Sequence, residues 1–304
     1  MSTPTDAVYG GRFDRERLAD VLASVCAMAG LDHRGARLLK FTNNAVFQLA
    51  ADPVVVRIVG SRALRHRVAK VVGFADWLAE YQVPAIRLYH GVEQPVAVGE
   101  YLATLWWTEP GNGRRPNGGD LARLLRRVHE LPLPPFGLPE WAPLDDVRRR
   151  LDDAEELAAN DRRFLERRCD ELQSALDALT FEPDRRVLHG DAHLGNLIRA
   201  RDGPVLCDFD SSCVGPPEWD LVPVPVGVHR FGHPRSCQRQ LVADYGVDVT
   251  RSACYEVLRE VRELKLTTSV LPIVRSNPDV RDELFRRLRD LRRGDRDARW
   301  ANFR

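Results

Sequence analysis

His189-Gly190-Asp191-Ala192-His193-Leu194-Gly195-Asn196, followed by Asp208-Phe209-Asp210, concentrates more chemistry than any other part of this chain. It sets an aspartate, an asparagine and a further aspartate at spacings that suit magnesium-assisted phosphoryl transfer. Such chemistry needs a carboxylate to accept the proton of an attacking hydroxyl, and oxygen ligands for the metal ions that neutralise a triphosphate. Asp191 suits the first role. Asn196 and Asp208 suit the second, because magnesium is a hard ion that takes oxygen donors.

Working outward, the apolar runs Leu197-Ile198 and Val205-Leu206-Cys207 flank the turn-forming cluster Arg201-Asp202-Gly203, which predicts a hairpin. Folded about Asp202, it sets Ile198 opposite Leu206 and Asn196 opposite Asp208. Directly opposed residues lie about 4.5–5.5 Å apart, so the two ligands would meet at the open end of the hairpin. Arg186-Val187-Leu188 predicts a strand leading into the loop.

These residues resemble the aminoglycoside phosphotransferase and choline kinase-like family, small-molecule kinases with the protein-kinase fold. His189 to Asn196 matches the family's H-G-D-x-x-x-x-N loop residue for residue. Asp208 and Asp210 match its D-x-D segment, and Gly215-Pro216-Pro217-Glu218-Trp219-Asp220-Leu221 is similar to its G-x-x-x-x-D-L stretch. The resemblance implies an α+β, bilobal protein-kinase-like fold: a small N-terminal antiparallel-sheet lobe (residues 1–103) that binds the nucleotide, and a larger, mostly helical C-terminal lobe (104–304) for catalysis and acceptor binding. It also implies Asp191 as catalytic base, Asn196 and Asp208 as metal ligands, His189 as a scaffold residue of the loop and Asp220 as its buried anchor. The donor would be ATP or GTP with Mg2+.

A second chemistry competes. His189-x-Asp191-x-His193 with Asp208 and Asp210 combines imidazole and carboxylate, which suits zinc, iron or manganese in a metallohydrolase. That reading leaves Asn196 without a role and finds no further histidines at a completing spacing. His229 and His233 are separated by Gly232 and followed by Pro234, which argues against a helical pair.

Composition bounds the rest. A chain of 304 residues can bury a sizeable core. Its 45 basic and 44 acidic residues leave a formal charge of +1, so no global field attracts nucleic acid or a membrane surface. No apolar run approaches the roughly 20 residues that span a bilayer. The first residues lack the basic and apolar regions of a signal peptide, and the six cysteines include no C-x-x-C pair. A cytoplasmic enzyme with reduced thiols, a small-molecule hydroxyl acceptor and no obligate protein partner is expected.

Leu18, Val21, Leu22 and Val25 recur at helical spacing and predict a helix over 14–29. Strands follow over Ala36–Phe41, Ala45–Ala50 and Val54–Ile58. Leu64, Val68, Val71, Ala75 and Leu78 stripe a long helix, and Ile86–Tyr89 and Val96–Tyr101 predict two more strands. The break between lobes is expected near Leu102–Thr108. Beyond a polar loop, Asp120 is expected to cap a helix bearing Leu121, Leu124, Leu125 and Val128.

No P-loop and no G-x-G-x-x-G run is present. The turn Thr42-Asn43-Asn44 could cover phosphates with its amides and short side chains, or be an ordinary hairpin turn. The third strand of such lobes offers a basic residue to the phosphates. Here that position is Arg57, alone among apolar neighbours. The glutamate that pairs with it from the following helix is missing, since the expected place falls at Lys70-Val71. Adenine is expected near Glu100-Tyr101-Leu102. Asp145, Asp146, Asp152 and Asp153 are the carboxylates that could meet a cationic acceptor, and Asp210, Glu218 and Trp219 could line its pocket. An aminoglycoside or other sugar-containing antibiotic or natural product is the leading acceptor. A primary metabolite such as choline, homoserine or a sugar is the first alternative, and a nucleotide-binding pseudokinase the second.

Overall fold

The computed structural model describes residues 15–41, 44–59, 65–111, 113–181, 185–275 and 277–303. The chain enters through α1 (Arg15–Ala29) and then forms β1 (Arg37–Phe41), β2 (Asn44–Gln48) and β3 (Val54–Val59). After α2 (Val68–Glu80) come β4 (Val96–Val98) and β5 (Tyr101–Trp107). These five strands make one antiparallel sheet in the order β1-β2-β3-β5-β4. Alternation along β3 explains its two faces. Val54, Val56 and Ile58 are buried with Leu18, Val21, Leu22 and Val25 of α1, and with Ala103 and Leu105 of β5. Val55 and Arg57 therefore point to the other face.

Two expectations for this lobe need correction. Val96 to Tyr101 is not one strand: the chain turns at Gly99-Glu100, with Val98 paired to Tyr101. Gly99 takes φ +56°, which a two-residue hairpin turn asks of glycine at its first central position. The strand then runs on to Trp107, within the Leu102–Thr108 stretch in which the break between lobes is expected, and Thr108 still donates to the Pro53 carbonyl. Nor is Ile86–Tyr89 a strand. That segment divides its backbone hydrogen bonds, Ile86 N–H to Leu206 O (2.9 Å) and Tyr89 N–H to Leu105 O (2.9 Å), and so links the sheet to the other lobe.

The second lobe contains α3 (Gly118–His129), α4 (Pro143–Asp152), α5 (Ala159–Asp177), β6 (Arg186–Leu188), β7 (Leu197–Ala200), β8 (Gly203–Leu206) and β9 (Cys213–Gly215). It ends with α6 (Glu218–Leu221), α7 (Pro223–Phe231), α8 (Arg235–Tyr245), α9 (Tyr255–Thr268) and α10 (Arg281–Arg293). The cap of α3 is Asn117 rather than Asp120. The Asn117 side chain accepts from the Gly119 and Asp120 amides, and Asp120, three residues on, accepts from the Asn117 amide: a reciprocal capping box. Val71, Phe74, Trp77 and Leu78 of α2 share one core with Trp106, Phe209 and the helices α3 and α9. The Phe74 and Phe209 rings meet edge-on at 5.5 Å, which ties α2 to the D-x-D segment. Leu64, expected on the α2 stripe, lies outside the described residues. No helix among the described residues is long and apolar enough to cross a membrane.

Candidate active site

The catalytic loop is held from below by Asp220. Its side chain is 0% exposed, and its two oxygens accept from the His189 amide (2.8 Å) and the Gly190 amide (2.7 Å). His129 bonds the same carboxylate at 3.0 Å and meets the Tyr245 hydroxyl with its other nitrogen. The Trp219 indole donates to the Gly190 carbonyl (2.9 Å). Gly190 itself sits at φ +80° against the Ser211 backbone, where a Cβ would clash. Within the loop, His189 Nδ1 accepts from the Asp191 amide and Nε2 donates to the Cys207 carbonyl. Both ring nitrogens are thereby used. This takes His189 out of the ligand set a metallohydrolase would need, and no cluster of three or more His, Cys, Asp or Glu side chains that could hold a metal occurs among the described residues.

Asp191 projects from this scaffold. Burial pushes its carboxyl up, but neighbouring cations, Arg262 foremost, prevail and hold it below the usual carboxylate range. Arg262 Nη1, from α9, lies 2.5 Å from Oδ1. That oxygen is buried yet accepts no well-directed hydrogen bond among the described residues. Burial holds His193 at about 4, so its ring is neutral near pH 7.

The hairpin forms, but one residue out of the expected register. Leu197 pairs with Leu206 and Ile198 with Val205, so the turn is Arg201-Asp202 and the Cys207 amide donates to the Asn196 carbonyl. A one-residue slip turns each side chain to the other face. Asn196 and Asp208 therefore do not oppose each other directly. Asp208 instead adopts the left-handed conformation, φ 68° and ψ 69°, rare for a residue with a Cβ. Both residues line the same cavity. Asn196 donates its amide nitrogen to the Asp191 carbonyl (2.9 Å), which leaves its oxygen for a ligand. Burial and the neighbouring Asp210 raise Asp208 above the usual carboxylate range, the state of a carboxylate short of a cation. Lys40 Nζ approaches it only to 4.0 Å. A hard, oxygen-seeking cation fits this donor set.

Arg57 reaches across the cleft to Asp210, with which it forms a close ion pair; the two side chains are 11% and 13% exposed. The acid missing from α2 is thus supplied by the D-x-D segment. Lys70, at the helix position where a glutamate was expected, donates to the Asp210 and Ser212 carbonyls (2.7 and 2.8 Å).

A cavity of about 390 Å³ lies between the sheet and the hairpin. Lys40, Asn44, Val55 and Arg57 line it from the sheet, and Asn196, Ile198 and Asp208 from below. Its rear wall is Trp106-Trp107-Thr108-Glu109, where the chain leaves β5. Tyr101 and Leu102, the expected adenine contacts, sit at the opposite end of β5, Tyr101 within the core against α1. The expectation failed because the turn at Gly99 moves the interlobe connection downstream. Asn43 lies outside the described residues.

Sequence reasoning missed Lys70, Arg262 and Lys265. A signal for two of them existed: 42 of the 45 basic residues are arginine, and the three lysines stand at Asp208 (Lys40), at the Asp210 turn (Lys70) and at Asp146 (Lys265).

Residues 37–264 match the model of the phosphotransferase enzyme family (APH). Streptomycin 6-kinase of Streptomyces griseus is 37% identical over 109 residues, a match spanning 34% of each chain. Among solved structures, an amicoumacin kinase in complex with AMP-PNP and Ca2+ aligns over 95% of this chain and 96% of its own, with TM-score 0.66 and 14% identity. Choline kinase from Streptococcus pneumoniae aligns over 91% and 98%, with TM-score 0.66 and 13% identity. Spectinomycin phosphotransferase in complex with ADP and spectinomycin aligns over 91% and 94%, with TM-score 0.63 and 14% identity. With the family model covering most of its length, this chain belongs to the phosphotransferase enzyme family.

Proposed function

We propose that the protein transfers the γ-phosphate of Mg-ATP to a hydroxyl of a small molecule. The observation that carries this reading is that Asn196 and Asp208 line the floor of the cavity beneath the sheet, with Asp191 on the same anchored loop, its carbonyl bonded by the Asn196 side chain. Asp191, ionised, takes the acceptor hydroxyl's proton as the hydroxyl oxygen bonds to phosphorus and the bond from phosphorus to the ADP oxygen breaks. Asn196 and Asp208 are the residues that would hold magnesium, which when bound supplies neutralisation of charge on the phosphates. Arg57, paired with Asp210, and Asn44 line the same cavity and would meet the phosphates, and the backbone of Trp107–Glu109 at its rear wall would bond the base. The AMP-PNP and ADP complexes of the fold relatives support ATP as donor.

The leading acceptor is a hydroxyl of a sugar-containing antibiotic or natural product, supported by the local identity to streptomycin 6-kinase. The test is ADP release from Mg-ATP against a panel of antibiotics, sugars, hydroxy acids and amino alcohols, beside Asp191→Asn. Acceptor-dependent turnover should fall about 10²–10⁴-fold in the variant while ATP binding persists. Failure of the wild-type protein to bind ATP would end this reading.

A further inference from the structure

A second cavity, of about 480 Å³, opens between the start of α2, the segment from Pro139 to Asp146, and the turns at Gly190 and Asp210–Cys213. Arg67, Lys70, Arg149 and Lys265 line it. Arg150 donates to the Lys265 carbonyl (2.9 Å), and Arg262 holds Asp191. The carboxylates here are already engaged. Asp146 serves Arg67, Lys265 (2.7 Å) and Arg149 (3.6 Å) together. Asp145 pairs with Arg148 and Arg149, Asp210 with Arg57, and Glu140 with Arg185. Lys70, by contrast, donates only to backbone carbonyls among the described residues, as does Arg150.

Four basic and four acidic side chains line the space, but Asp210 and Glu140 are also paired with Arg57 and Arg185, and Arg150 adds a further cation beside Lys265, so the surroundings hold more cations than anions, an arrangement that costs free energy until an anion enters. The crowding shows in the groups themselves. Burial and neighbouring cations bring Arg67 and Arg150 down to about 10 and Lys70 to about 7. An independent vacancy lies in the wall. The buried Trp141 indole N–H, a donor only, has no acceptor among the described residues. Neither Asp152 nor Asp153 lines the cavity, so the four carboxylates that a cationic acceptor would use are absent or engaged.

We infer that the acceptor carries an anionic oxyacid group, a carboxylate or a phosphate ester, which Lys70, Arg149, Lys265 and the Trp141 indole hold in this cavity while the hydroxyl meets Asp191. Oxyanions take charge-assisted hydrogen bonds from such a set. The inference rests on the phosphotransferase reading and names the charge of its substrate. Among the sugar-containing acceptors proposed above it favours an acidic sugar over a polycationic aminoglycoside, although the local likeness to streptomycin 6-kinase points to a sugar-containing antibiotic in general.

Calorimetric titration of the full chain, saturated with Mg-ADP, with inorganic phosphate, acetate and glucosamine tests it. Phosphate or acetate should bind and glucosamine should not. Phosphate binding the tighter would assign a phosphate ester; acetate, a carboxylate. The half-exposed Arg149 allows Arg149→Gln without loss of folding, and Lys70→Met is the second variant. Each should weaken anion binding by about tenfold or more. Glucosamine binding tighter than both anions, no anion binding, or unchanged affinity in both variants would overturn the inference. Absence of Mg-ADP binding would sink the phosphotransferase reading instead, and the same titrations without nucleotide would still decide this one.

Discussion

Arg262 Nη1 lies 2.5 Å from Asp191 Oδ1, so the candidate catalytic base carries its own counter-ion, delivered from α9. The pair keeps Asp191 ionised at low pH, at the cost of basicity. In Arg262→Gln the carboxyl should rise toward its ordinary range. Activity requires the ionised form, so the acidic limb of kcat/KM against pH should move upward by about 1–3 pH units. An unmoved limb would show that Arg262 leaves Asp191 when substrate binds.

Arg57 and Asp210 form a nearly buried pair between β3 and the D-x-D segment. Removing one partner strands the other charge, at roughly 3–5 kcal/mol. Arg57→Ala and Asp210→Ala should each lower the unfolding free energy, and the double variant should lose less than the sum. Urea denaturation of the four proteins gives the coupling. Additive losses would mean the pair contributes nothing as a pair.

Asp220 satisfies two backbone amides that have no other acceptor in the loop. Asp220→Ala leaves both donors buried, at about 1–3 kcal/mol each. A fall in the thermal midpoint is expected, together with loss of kcat larger than that of nucleotide affinity, because the cavity under the sheet does not include Asp220. Thermal unfolding and ADP binding by calorimetry separate the two effects.

Lys70 gives a pH dependence with a definite sign. Burial, helped by Arg67, brings its amine to about 7, against 10.5 for an unperturbed lysine. Between those values the unfolded chain holds a proton that the folded chain lacks, so stability should rise with pH across that window. Lys70→Met should flatten this part of the rise. Urea midpoints measured from below pH 7 to above 10 check it; an unchanged slope would mean the ammonium survives in the fold.

The one-residue slip in the catalytic hairpin shows where reading by pattern stops. The apolar runs and the turn cluster announced a hairpin correctly, because alternation and glycine placement are local properties. The register depended on whether Arg201-Asp202 or a turn centred on Asp202 closed it, a difference settled by packing of Leu197 and Leu206 into the core. The left-handed Asp208 then re-aimed the side chain that the slip had displaced. Tyr101 failed for a similar reason: a glycine turn two residues upstream shifted the whole strand.

The sequence by itself determined the elements and the reactive set. Helical and strand periodicity located α1, α2 and the first three strands, and the contiguous loop from His189 to Asn196 with Asp208 named the chemistry, since those residues lie close along the chain. Tertiary structure alone decided the partners: Asp210 for Arg57 at a separation of 153 residues, Arg262 for Asp191, and three cations on Asp146. Such pairings follow from how α2, α4 and α9 pack around the loop. Periodicity says which face of a helix is buried, but not which charged residue on a distant element it will meet there.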